Sequence, residues 1–358
     1  MLVRKSSLNK LLATTLAACV VLGTAVSAQA SPIKGATYKP LISSGALPDS
    51  PEARIDANTA DSAYSGVVSL YVEYDGGGYI CSGALVGKRS VVSAGHCVDT
   101  DGNGSLIDIN APGNRVRVVF NNDGAYNAVI TASKVSMNPD YKGFGNCPVG
   151  VDAFCLNDDV AVITLGSDAP AGAKIYKLAV NPLAGNTHIM MAGYGTSGNG
   201  VDGFSVDPEF DIKRTGENIV DLFDGDDEQG FGGHNEVWYA DFDGGGRDTF
   251  CDFADVCSEQ LANDKESGIG GGDSGGPSFI NMYGEMMLVA NNTFGSSFLY
   301  EDGQFGTYFG GIVLGAYSDY LLDATAGDIQ FVPEPGSFAL FGLGALALLG
   351  ARRRRSVK

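Results

Sequence analysis

The sequence predicts an all-β fold, and two observations carry that reading. Apolar residues come in short runs bounded by turn residues, and sustained helical periods are few. The 51 glycines among 358 residues suit a chain of strands joined by tight turns. With 44% hydrophobic residues, a chain of this length can bury one or two sizeable cores. The strand candidates, in order, are 67–72, 80–86, 91–94, 116–120, 128–130 and 160–165, then 188–192, 236–239, 277–280, 286–291 and 308–314.

The two ends read as addresses rather than fold. Arg4, Lys5 and Lys10 precede an apolar run over 11–26, and Ala28-Gln29-Ala30 fits a signal-peptidase site, so 1–30 is expected to be a signal peptide. Leu16-Ala17-Ala18-Cys19 resembles a lipoprotein box, but the apolar stretch continues past it and favours cleavage after Ala30. At the other end, Val332-Pro333-Glu334-Pro335 is followed by an apolar stretch over 338–351 and then by Arg352, Arg353, Arg354 and Arg355. At about 1.5 Å per residue that stretch falls short of a roughly 30 Å hydrocarbon core, and the arginines would hold the C-terminus in the cytoplasm. The pattern over 332–358 resembles a PEP-CTERM sorting signal. That resemblance implies a bacterial exported protein processed by an exosortase, in the cell envelope or secreted; the competing reading is a permanent tail anchor with a transmembrane helix.

The formal net charge is −19, and eight of the 23 basic residues lie in these two end segments. Such an acidic body repels phosphate backbones, which argues against nucleic acid as a partner. The acids read as a solubilising surface or as cation ligands. Seven cysteines become six once the signal peptide is removed, and an even count in an exported chain points to disulfides. Six allow 15 pairings. Spacing favours the local pairs Cys81–Cys97, Cys147–Cys155 and Cys251–Cys257. Zinc is the rival, but these short spacings lack histidine partners.

The chemistry centres on Gly272-Asp273-Ser274-Gly275-Gly276-Pro277. Glycines on both sides of a serine permit the tight backbone that exposes its hydroxyl and aims N–H groups at one point, as an oxyanion hole requires. Such a serine needs a base and an orienting carboxylate. The histidines are His96, His188 and His234; His96 stands in Ser93-Ala94-Gly95-His96-Cys97. Asp159 opens the apolar run Asp159-Val160-Ala161-Val162-Ile163, where an acid would be partly buried, with Asp158 as the neighbouring alternative.

Those three motifs, in that order, resemble the chymotrypsin/trypsin family of serine endopeptidases over roughly residues 55–325. The 16-residue spacing of Cys81 and Cys97, Asn138-Pro139-Asp140-Tyr141, Gly193-Tyr194-Gly195 and Thr293-Phe294-Gly295 add to the resemblance. Gly272-Asp273-Ser274-Gly275-Gly276 also satisfies the elbow of α/β-hydrolases, but that fold needs its histidine after the serine, and none follows Ser274. Subtilisin-like enzymes need an aspartate before the histidine on an α/β scaffold, against the all-β reading. The resemblance implies two six-stranded antiparallel barrels, about 55–176 and 177–325, a C-terminal helix, and an active site in the cleft between the barrels. It implies His96, Asp159 and Ser274 as the triad, the Gly272 and Ser274 N–H groups as the oxyanion hole, the Cys81–Cys97 bridge, protein or peptide substrates, and no required cofactor. His188 and His234 read as bystanders.

Residues 31–54 are polar and proline-punctuated, like a pro-segment. By the resemblance, cleavage at Arg54 would free the Ile55 amine to pair with Asp273 and order the oxyanion loop. The two glycines that usually follow the apolar pair are missing. At the base of the primary pocket the family position corresponds to Gly268, with Thr293, Phe294 and Gly295 along the substrate backbone. An uncharged residue there points away from a Lys/Arg preference, although the usual nearby cysteine is replaced within Ile269-Gly270-Gly271, leaving Glu266 or Asp264 as entrants. Asp99, Asp101 and Asn103, ahead of Gly104, resemble the first half of an EF-hand loop, with Asp108 further on, and suggest a structural calcium. The acidic insertion over 218–257 is expected to rim the cleft. The leading function is an exported serine endopeptidase; the alternative is a non-catalytic surface or matrix binding protein on a protease fold.

Overall fold

The computed structural model describes residues 42–180, 183–296 and 299–333. The expected signal peptide, the start of the pro-segment and the apolar part of the tail lie outside these residues. Among the described residues no helix is long and apolar enough to cross a membrane.

In the first half, β1 (Val67–Tyr74), β2 (Gly77–Leu85), β3 (Ser90–Ser93), β4 (Arg115–Phe120), β5 (Ala128–Met137) and β6 (Ala161–Leu165) close into an antiparallel barrel in the order β1-β2-β3-β6-β5-β4. Strand side chains alternate between faces. Val68, Leu70 and Val72 of β1 therefore turn into the barrel with Val116, Val118 and Phe120 of β4, all fully buried. Each such side chain contributes roughly 1.5–3 kcal/mol on leaving water. Val67, on the opposite face of β1, joins Ile80, Val160, Tyr194, Phe279 and Leu288 in a core shared with the second half.

The second half contains β7 (Leu178–Ala179), β8 (His188–Gly193), β9 (Ser197–Asn199), β10 (Gly203–Val206), β11 (Arg214–Ile219), β12 (Leu222–Asp226), β13 (Gly232–Asp241), β14 (Pro277–Met282), β15 (Glu285–Ser296), β16 (Tyr308–Val313) and β17 (Phe331–Val332). A closed six-stranded second barrel was expected; the structure has instead a nine-stranded sheet, ordered β11-β8-β14-β15-β16-β13-β12, with β7 and β17 off that path. The cause lies at Val220-Asp221. One strand pairing on both edges would close the barrel, but here the chain bends. Residues 214–219 pair with β8, and 222–226 pair with β13. The Asp221 N–H still donates to the Tyr239 carbonyl at 2.9 Å, so the two edges stay in touch.

The acidic insertion forms the β12–β13 hairpin, a glycine-rich loop and α1 (Thr249–Ala254). Asp248 caps α1 by accepting from the Cys251 N–H, and the Cys251–Cys257 bridge closes the following turn. The expected C-terminal helix is α2 (Ser318–Ala324), whose Leu321 is buried in the shared core.

Residues 42–54, the end of the expected pro-segment, pack onto the second half. Ile42 is buried with Ile189, Met191 and Trp238. Ser44 pairs with the β9 region through its N–H to the Gly198 carbonyl and its carbonyl to the Gly200 N–H, both at 2.9 Å.

Candidate active site

Antiparallel pairing of β3 with β6, Ser93 opposite Ala161, sets the end of one strand beside the start of the other. That register brings together His96, in a short turn after β3, and Asp159, just before β6. The fully buried Asp159 carboxylate holds the histidine at two points: Oδ2 lies 2.7 Å from His96 Nδ1, and Oδ1 accepts the His96 backbone N–H at 2.6 Å. Asp158 is a separate group. It sits at φ 67 and accepts from Asn138 Nδ2 at 2.9 Å. The Cys81–Cys97 bridge ties the histidine turn to β2.

Ser274 is buried in the loop that leads into β14. Its carbonyl accepts the Ser82 N–H at 2.8 Å. Cys97 Sγ lies 3.7 Å from that carbonyl oxygen and 3.9 Å from His96 Nε2. One sulfur therefore touches both the histidine from the first half and the serine loop from the second. Gly275 is required by close approach: its φ is 78, and a Cβ there would stand 2.0 Å from Ser93 Oγ. The loop spends the N–H groups of Asp273, Gly275 and Gly276 on the carbonyls of Gly270, Asn292 and Asp273, at 3.0, 2.7 and 2.7 Å. The Gly272 and Ser274 N–H groups take part in none of these bonds, and Gly272 has φ 101. An imidazole fixed in one orientation, a glycine-framed serine, and two amides without a hydrogen-bond partner among the described residues are parts that acyl transfer uses.

Asp273 is fully buried. Its oxygens accept the Gly195 and Gly270 N–H groups at 2.7 and 2.9 Å. Burial pushes its carboxyl up to about 7, against the lowering effect of those amides and of Arg214. The Ile55 N–H donates to the Glu52 carbonyl at 3.4 Å. Arg54 is no exposed cleavage handle. Its guanidinium is buried, pairs with Asp49 at 2.6 Å, and donates to Ser267 Oγ and to the carbonyls of Lys265 and Glu266.

Around the expected pocket base, the ring of Phe242 is the group that a side chain at Gly268 would meet first, at 3.4 Å. Glu266 is buried and accepts the Leu261 N–H at 2.9 Å, while Asp264 is exposed. Thr293 and Phe294 are buried along β15, and a Cβ on Gly295 would lie 4.0 Å from the Ile269 carbonyl, so this strand runs beside the 268–271 loop. The Asp99 carboxylate is consumed by its own loop, accepting the N–H groups of Asp101, Gly102, Gly104 and Ser105. Asp101 accepts from Asn103 N–H, and Asp108 from Asn110 N–H. Cys147 and Cys155 are bridged as expected. His188 and His234 lie half exposed beside Glu217 and Glu236.

Two supports escaped the sequence reading. Asn291 Nδ2 donates to the carbonyls of Ser93 and Asp159 at 3.2 and 3.3 Å, tying both strands of the pair to β15. Phe144 packs on the His96 ring with centroids 5.2 Å apart. The polar residue that ends the apolar run Met286-Met287-Leu288-Val289-Ala290 was the available signal for the first.

Parts of the chain are similar to known proteins. Residues 56–208 match the trypsin family model, a match that ends before the serine loop, and residues 331–355 match the PEP-CTERM protein-sorting motif. Human serine protease 1 is 29% identical over 138 residues, covering 38% of this chain and 48% of the relative; human putative trypsin-6 is 27% identical over the same shares. The chain thus spans about half the length of the curated relatives it matches. A crystal structure of a thermostable serine protease from an extremophilic microorganism aligns with 74% of this chain and 99% of its own, at 17% identity and a TM-score of 0.45.

Proposed function

Since the chain carries a trypsin-family serine protease domain and a PEP-CTERM sorting motif, we propose that it is an exported serine endopeptidase. The protease unit is 55–325, and the tail is a substrate for an exosortase-type enzyme at the bacterial cell surface. The observation that carries the catalytic reading is the double hold of Asp159 on His96 beside the serine loop.

In this reading Ser274 Oγ attacks the carbonyl carbon of a peptide bond while His96 Nε2 takes the hydroxyl proton. Asp159 fixes the imidazole tautomer and stabilises its charged form. The oxyanion is held by the Gly272 and Ser274 N–H groups, a contribution of roughly 3–4 kcal/mol per donor. Collapse breaks the C–N bond, the amine leaves with the proton from His96, and an acyl-enzyme remains. Water, deprotonated by His96, then releases the acid and regenerates Ser274.

The test is labelling with a fluorophosphonate, together with peptide hydrolysis. Wild type is expected to be labelled at Ser274. Ser274→Ala is expected to keep its fold by circular dichroism and lose both labelling and hydrolysis. A folded wild type that neither labels nor cleaves would favour the binding-protein alternative.

A further inference from the structure

Asp241, Asp243 and Asp248, on the loop that leaves β13, bring carboxylate oxygens within 4.8 Å of one another. Acidic clusters on protein surfaces are common, but two of these three acids are interior and Asp248 is half-buried. Asp241 is 1% exposed and Asp243 4%. The Oδ1 atom of each has no hydrogen-bond donor among the described residues. For Asp241 the other oxygen is already committed, accepting the Thr249 and Phe250 N–H groups. Two more buried carboxylates carry an equally unpartnered oxygen, Asp221 Oδ1 and Glu266 Oε1, and both act electrostatically on Asp243. Burying several carboxylate oxygens together without donors is strongly unfavourable.

The basic residue of the loop does not relieve this. Arg247 lies 4.2 Å over the Tyr300 ring and donates to the Phe305 carbonyl at 2.9 Å. The loop itself, Asp241-Phe242-Asp243-Gly244-Gly245-Gly246-Arg247-Asp248, sets acids at its first, third and eighth positions around a glycine run. Gly245 and Gly246 are left-handed, at φ 60 and 78, so the backbone turns sharply and the eighth residue returns to the first. A hard cation that takes many oxygens at irregular angles suits such a set; magnesium, which demands near-octahedral geometry and keeps its waters, suits it less.

We propose that Asp241, Asp243 and Asp248, backed by Asp221 and Glu266, form a binding site for one calcium ion. The ion bridges the end of β13 to the start of α1 and so fixes the loop that carries Phe242 against Gly268. This assignment does not depend on the chain's being a protease.

The full folded chain, stripped with chelator, is titrated with CaCl2 alone and with MgCl2 alone, read by calorimetry and by thermal melting. Calcium at about 10 mM, well above the roughly 10⁻³ M of weak sites, is expected to raise Tm by about 4 °C or more, with magnesium giving a clearly smaller rise. Asp243→Asn is expected to weaken calcium binding at least about ten-fold. In chelator the same variant is expected to melt at or above wild type, because a buried unpartnered charge has been removed; in calcium the order reverses. Asp101→Asn, in the 99–104 loop, is expected to retain the response. Absence of heat and of a Tm shift in wild type overturns the proposal. So does a response that survives in Asp243→Asn or disappears in Asp101→Asn. If Asp243→Asn does not fold, Asp248→Asn carries the same expectation, and full calcium affinity in that variant overturns the assignment.

Discussion

Asp159 meets His96 twice, at the ring Nδ1 and at the backbone N–H, so one carboxylate fixes both where the imidazole sits and which nitrogen it presents. Both contacts need acceptors. Asn in place of Asp159 offers one acceptor and one donor, and the donor would oppose one of the two N–H groups. Asp159→Asn is therefore expected to lower kcat by about 10⁴, the usual size of that exchange in a Ser-His-Asp triad, with KM little changed. Steady-state kinetics on a peptide substrate checks this; a loss below about ten-fold would mean the carboxylate does not orient the base.

On the proposed function, substrate preference depends on what lies beside Gly268. The nearest group to a side chain there is the Phe242 ring, not a carboxylate. Glu266 is held to the Leu261 N–H. Cleavage of a peptide library is expected after uncharged residues. A Cβ at Gly268 would meet Phe242 at 3.4 Å, an ordinary contact, so the position tolerates a side chain. Gly268→Asp is then expected to raise cleavage after Lys or Arg by about ten-fold or more, since it supplies a buried partner for a basic side chain. Strict Lys/Arg cleavage by wild type would refute the pocket reading.

Where a feature is local, the sequence displays it. The strands of the first barrel are apolar runs, and each predicted run there overlaps a strand. The serine loop is written in its glycines, because Gly275 is excluded from bearing a Cβ by Ser93. Features whose partners are remote in sequence stayed hidden. Strand β11, Arg214-Thr215-Gly216-Glu217-Asn218-Ile219, has no apolar run; it exists because β8 offers it an edge and Ser267 packs where a Gly216 side chain would stand. The opening of the second sheet depends on one bend at Val220-Asp221, which no periodicity reveals. Arg54 reads in the sequence as a cleavage site because, Asp49 apart, the groups that bury it are about two hundred positions away.

That last residue bears on whether the chain is cut after Arg54. Arg54 pairs with the buried Asp49 and satisfies carbonyls of the 263–267 segment, while Arg214 Nε holds the Pro51 carbonyl at 2.5 Å. Cutting after Arg54 would free the segment that these bonds anchor. Removal of one partner from a buried ion pair costs about 3–5 kcal/mol, so Arg54→Ala is expected to lower Tm substantially, and the active protein is expected to begin at or before Ile42. The pH dependence of Asp273 gives an independent reading. Without an ammonium beside it, burial raises its carboxyl from 3.8 to about 7. The folded form then binds the proton more tightly than the unfolded chain. The stability from this group is complete below about 4 and is lost as the pH rises toward about 7, amounting to no more than about 4 kcal/mol. Wild type is thus expected to lose Tm relative to Asp273→Asn across that window. An Ile55 ammonium inserted beside Asp273 would depress the carboxyl instead, abolish that loss, and move the pH dependence below about 4. N-terminal sequencing that finds Ile55, or a wild type that holds level with the variant between pH 4 and 7, would establish cleavage at Arg54 in place of a retained anchor.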